Sequence, residues 1–126
     1  SFRISKDARE AVRGYIKNKF GSEYLPEKPP IYKSKRRAQE AHEAIRPTSM
    51  ERTPDAIKEY LTPDQLKLYT IIWNRFVASQ MSNARLSVTT VFISADNALF
   101  KTAGTEVVFP GFLSSYGDAK EEKQMK

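Results

Sequence analysis

Along the first twenty residues, Ala8, Ala11, Val12, Tyr15, Ile16 and Phe20 recur at three- and four-residue steps, so one side of the segment is apolar. Ser5 stands ready as an N-cap and Gly21 closes the run, which together predict an amphipathic helix. Pro26, Pro29 and Pro30 then break up residues 22–32, where neither a helix nor a central strand can persist, and a loop is expected. A second helix is expected over residues 34–45, ending there because Pro47 disfavours helical geometry at Arg46. Thr53-Pro54 and Thr62-Pro63 each set a capping hydroxyl before an N1 proline, and Gln65 completes a capping box with Thr62. These signals predict two more helices. The later one, over residues 63–81, lines up Leu66, Tyr69, Thr70, Trp73, Phe76, Val77 and Gln80 on one broad face and is the expected core helix.

After Ser82 the texture changes. Leu86, Val88, Thr89, Thr90, Val91, Phe92 and Ile93 are β-branched or large apolar residues with partial alternation, Asp96-Asn97 supplies a turn, and residues 99–102 can return antiparallel. A third strand is expected near residues 107–109, before Pro110-Gly111, and residues 117–126 carry no packing pattern and are expected to fray. The fold class is therefore α+β: a mainly helical N-terminal part over residues 1–82, followed by an antiparallel β-rich part over 83–126.

Charge is divided at the same place. The whole net charge of +6 belongs to residues 1–83, since acids and bases balance beyond them. Lys28, Lys33, Lys35, Arg36 and Arg37 come one after another with no acid between Glu27 and Glu40, a local field that attracts polyanions such as nucleic acid. A solvated loop is the plainer reading of that run. With no cysteine and one histidine, the chain has no disulfide framework, thiol nucleophile or cysteine- or histidine-rich metal site. Its apolar runs are too short to span a bilayer and its start lacks a hydrophobic targeting core, so a soluble, cytoplasmic protein is expected.

On a helical wheel, Ala38, Ala41 and Ile45 form a narrow face of small side chains, with His42, Arg46 and Gln39 along its edge. Imidazole, guanidinium and amide on one edge can together hold a phosphate. Spacing alone equally allows His42 as a hydrogen-bonded packing residue, and Arg46 as a cation at a helix C-terminus or an ion-pair partner of Glu43.

The literal string from Glu40 to Thr48, Glu-Ala-His-Glu-Ala-Ile-Arg-Pro-Thr, resembles the histidine motif of the type IA DNA topoisomerases, their bacterial members in particular. Other segments are similar to the same family. Ser1-Phe2-Arg3-Ile4-Ser5 looks like the end of the family's active-site segment, in which Tyr-Met-Arg-Thr-Asp-Ser leads into Arg-Ile-Ser. Phe20 to Pro26 and Ile72 to Met81 match the text around the helices, and Val108-Phe109-Pro110-Gly111-Phe112 looks like the later β segment.

The resemblance implies ATP-independent relaxation of negatively supercoiled DNA through a transient 5′-phosphotyrosine link, strand passage and religation. It implies that residues 1–82 are the remainder of the tyrosine-bearing domain, related to helix-turn-helix domains, and that 83–126 belong to a β-rich, hinged arch. The nucleophilic tyrosine would lie five residues before Ser1, and the acidic cluster that binds Mg²⁺ in another domain. The chain is therefore expected to be an internal piece of a longer protein, without catalytic residue or metal of its own. DNA, chiefly its single-stranded regions, is the expected partner of a monomeric, nucleoid-associated protein. His42, Arg46, Ser1 and Arg3 are the expected supporting residues of the DNA site, His42 on a backbone phosphate. A winged-helix regulator, which shares the order of three helices and a hairpin, is the alternative.

Overall fold

The computed structural model describes residues 2–33 and 42–120. Helix α1 spans Lys6–Lys19 and starts where the sequence places it, with the Ser5 hydroxyl accepting from the Ala8 amide at 3.2 Å. At its other end the amides of Phe20 and Gly21 both reach the Ile16 carbonyl, and Gly21 takes φ +111°, a conformation that favours glycine. A 3₁₀ turn, Ser22–Tyr24, leads into the proline-rich loop. Helix α2 is a single turn, Pro54–Ile57, continued by a 3₁₀ turn over Lys58–Tyr60. Helix α3 runs Pro63–Ser79 behind a complete capping box: Gln65 N–H donates to Thr62 Oγ1 at 3.2 Å and Thr62 N–H donates to Gln65 Oε1 at 3.0 Å.

The core forms where α1 meets α3. Val12 and Ile16 are fully buried against Trp73, Phe76, Val77 and Met81, and Tyr15, Phe20, Tyr24, Leu25, Met50 and Phe112 close over them. Trp73 takes an edge-to-face ring contact with Tyr15 at 5.3 Å and a tilted one with Tyr69 at 6.2 Å. The periodic apolar positions of both helices point inward, which is why local pattern predicts them well.

Strands β1, Arg85–Ala95, and β2, Ala98–Phe109, form one antiparallel hairpin about the Asp96-Asn97 turn, with Asp96 at φ +51°. Residues 99–102 and 107–109, expected as two strands, are parts of one. Gly104 sits opposite Thr89 in the ladder, and main-chain pairing passes through the weak stretch between them. Both hairpin faces stand in solvent, with Val88, Phe92, Leu99 and Phe100 all more than half exposed. Its base is anchored by a ring contact of Tyr24 with Phe109 at 4.9 Å.

Beyond β2 the chain returns to the helices. A 3₁₀ run covers Gly111–Lys120, interrupted at Gly117; residues 121–126 of the segment expected to fray lie outside the described residues. Phe112 N–H donates to the Ser82 carbonyl at 2.9 Å and Ser115 Oγ to the Asn74 carbonyl at 2.8 Å, fastening this run to the end and outer side of α3.

One predicted helix is corrected. Residues 34–41 of it lie outside the described residues, but residues 42–45 are not helical. Their main chain is taken up elsewhere: Glu43 bridges Arg3 in parallel, and Ala44 N–H donates to the Arg3 carbonyl at 2.7 Å.

Candidate nucleic-acid interface

Two segments far apart in sequence meet in front of α1. The first, residues 2–5, is the extended lead into the helix. The second, residues 42–47, carries His42, Glu43 and Arg46 and ends at the buried Pro47. Besides the Arg3 contacts, Glu43 Oε1 accepts from the Ser5 amide at 2.5 Å, so a side chain 38 residues away satisfies the N-cap residue's own N–H. Arg46 grips the same carboxylate, Nη2 to Oε2 at 3.2 Å and Nε to Oε1 at 3.4 Å, while its Nη1 donates to the Pro47 carbonyl at 3.1 Å. Arg46 thus stands in the ion-pair arrangement with Glu43 that sequence spacing allows. Its side chain is less than a quarter exposed.

His42 is exposed and stands one residue from the bridge to Arg3, which is also exposed. His42 and Arg46 do not share the expected helical edge, since residues 42–45 are not helical; Gln39, expected beside them, lies outside the described residues, as do Ser1, Lys35, Arg36 and Arg37. What the structure brings together instead is His42, Arg46 and Arg3, through Glu43. No local signal reveals this, because the partner of Glu43 lies on the far side of α1 and the proline loop.

The Ser5 amide first, then the Arg46 guanidinium, hold the Glu43 carboxyl below its ordinary value of 4.5. A carboxyl depressed in the folded state contributes stability above its unfolded pKa and loses that contribution as pH falls through the folded one. The contact between Ser5 and Glu43 should therefore persist through pH 4.5 and open only in more acidic solution. An amide-proton titration of Ser5 by NMR measures this: a midpoint at or above the ordinary value would contradict the arrangement, and Glu43→Gln should abolish the titration.

Beside these segments lies a largely apolar cavity of about 840 Å³, with Phe2, Tyr32, Ile45, Leu68, Ile71 and Arg75 among its walls. The Tyr32 hydroxyl donates to the Ser79 carbonyl at 2.7 Å. Tyr69 donates to the Arg52 carbonyl, and burial pushes its hydroxyl above the ordinary value. Tyr15 and Tyr24 have their rings in or against the core. The hydroxyl protons of Tyr32 and Tyr69 are thus both engaged by main-chain carbonyls. Among the described residues no three acidic, histidine or cysteine side chains gather in a cluster that could hold a metal ion. No helix among them is long and apolar enough to cross a membrane.

Comparison with known proteins places this geometry. The family model for DNA topoisomerase matches residues 1–126, and the chain belongs to that family. It is 44% identical over 124 residues to DNA topoisomerase 1 of Campylobacter jejuni, covering 98% of this chain and 18% of that protein. The Treponema pallidum DNA topoisomerase 1 is 48% identical over 112 residues, 89% of this chain and 15% of that protein. The structure of full-length topoisomerase I from Thermotoga maritima superposes with a TM-score of 0.76 at 34% identity, over 91% of this chain and 18% of that one. The chain thus spans less than a fifth of the relatives it matches. A match over the whole chain sets aside the winged-helix regulator.

Proposed function

We propose that this chain is the DNA-holding part of an ATP-independent type IA topoisomerase, which relaxes negatively supercoiled DNA by cutting one strand, passing another and resealing. The observation that carries the reading is the bridge between Arg3 and Glu43, which sets the histidine segment beside the chain that, in the family pattern, leads away from the nucleophilic tyrosine. In the whole protein the tyrosine oxygen would attack phosphorus, the 3′ oxygen would leave and take a proton, and the reverse attack by the 3′ hydroxyl would free the tyrosine again. His42 would donate a hydrogen bond to a backbone phosphate near the cut, and Arg3 would add positive charge. Mg²⁺, held by acidic residues elsewhere in the longer protein, would supply further neutralisation of phosphate charge.

Residues 1–82 and 83–126 would be parts of the tyrosine domain and of the hinged arch, the exposed hairpin continuing into the arch. By itself the chain would bind single-stranded regions of DNA as a monomer without cutting them, in the bacterial cytoplasm at the nucleoid. Two measurements on the 126-residue protein test this. Supercoiled plasmid with Mg²⁺ should stay supercoiled, whereas relaxation would mean that a nucleophile lies within the chain. Single-stranded oligonucleotide binding should weaken linearly on a log–log plot against salt, with a slope near −0.7 per phosphate neutralised. His42→Ala should weaken it roughly fivefold, the order of one net hydrogen bond. Binding indifferent to salt would overturn the DNA reading.

A further inference from the structure

Glu43 is an acid between His42 and Arg46, the residues proposed to support the DNA site, where charge alone argues against it. It neighbours His42, and its carboxylate would repel any phosphate held nearby. Yet its carboxylate accepts three hydrogen bonds in the site. One carboxylate oxygen accepts from the Ser5 amide at 2.5 Å, both oxygens face Arg46, and the Glu43 main chain bridges Arg3. Ser5 in turn caps α1 through its hydroxyl, so the carboxylate is fastened to the first turn of a helix whose far face lies in the core. Pro47, buried four residues on, fixes the other end of the segment.

From this geometry we infer that Glu43 is a positioning residue: it locks the His42 segment onto the entrance of α1, so that the imidazole and Arg3 are held at a constant separation for phosphate binding. The inference rests on the proposed contact of His42 with a backbone phosphate. Arg46 serves the same end from behind, by orienting the carboxylate. Preorganisation of this kind matters because a hydrogen-bond donor on a loose strand must be ordered each time it binds, which offsets the bond it makes.

The sign of one measurement separates positioning from simple charge. Removing an acid beside bound DNA should tighten binding on electrostatic grounds. Positioning predicts the reverse: Glu43→Ala should weaken single-stranded oligonucleotide binding about fivefold, as much as His42→Ala, and the double variant should lose little more than either single one. Amide hydrogen exchange should show Ser5 and Ala44 losing protection while the midpoint of thermal unfolding stays near that of the parent, since Glu43 lies outside the core. Glu43→Gln keeps the acceptor for Ser5 and loses the ion pair, so it should weaken binding to a smaller extent, and it carries the test should the alanine variant fail to fold. Unchanged or tighter binding in Glu43→Gln or Glu43→Ala, with His42→Ala still weakened, would overturn the positioning role and leave the phosphate reading standing. A His42→Ala protein that binds like the parent would instead remove the phosphate reading, and the positioning role with it.

Discussion

Trp73→Ala should cost the protein about 3–5 kcal/mol of folding stability, the largest loss from any single truncation in the core. The side chain is 4% exposed and sits at the centre of the α1 and α3 contact, against Val12, Ile16 and Phe76, with the Tyr15 ring edge-on at 5.3 Å. Alanine leaves a cavity that close-packed neighbours fill only in part, and the aromatic contacts with Tyr15 and Tyr69 go with it. Total stabilities of single domains run about 5–15 kcal/mol, so the variant should lie close to unfolding at room temperature. Urea titration monitored by far-UV circular dichroism measures the loss; fluorescence does not serve, because Trp73 is the only tryptophan. Tyr60→Ala, at a side chain 83% exposed, is the control and should fall within about 0.5 kcal/mol of the parent. A Trp73→Ala protein as stable as that control would mean that the two helices do not pack as described.

The second large effect is expected at Gly111, where an added methyl has nowhere to go. Its φ is +50°, and a Cβ there would lie 2.5 Å from the carbonyl oxygens of both Ser82 and Asn83. Those are main-chain atoms, and Ser82 is doubly committed: its N–H donates to the Tyr24 carbonyl at 2.8 Å and its carbonyl accepts from Phe112 at 2.9 Å. Relief therefore requires moving the junction at which the loop after α1, the end of α3 and the return segment are tied together. Gly111→Ala should cost about 2–4 kcal/mol, left-handed strain plus the displaced junction. It should release the Phe112 amide to solvent exchange before the α1 and α3 amides. A variant whose Phe112 exchanges as slowly as the parent's would show that this junction yields without loss.

Much of the helical part is legible in the sequence because its determinants are local. Ser5, Thr53 and Thr62 cap the helices they precede, Gly21 closes α1, and the apolar stripes of α1 and α3 supply the buried cluster. The Asp96-Asn97 turn and the onset of strand after Ser82 are local as well. The reading fails where a segment's main chain finds its partners far along the chain. Residues 42–45 have helical periodicity on paper, but Ala44 pairs with Arg3 instead, so His42 and Arg46 do not share a helical edge. Gly104 weakens a strand by propensity, yet β1 carries the ladder past it.

The motif strings that mark the family needed no structure, since they are residue identities in order, and the α+β division comes from a change of period near residue 82. Tertiary structure alone decided that Glu43 reaches Ser5 across 38 residues, that Gly111 rests against two carbonyls of another segment, and that the chain after the hairpin returns to cover α3. The physical reason is the same in each case. Propensity and periodicity describe what a segment gains from its own neighbours, whereas a carboxylate, an amide or a glycine without room for a methyl is satisfied by whatever the rest of the fold sets against it.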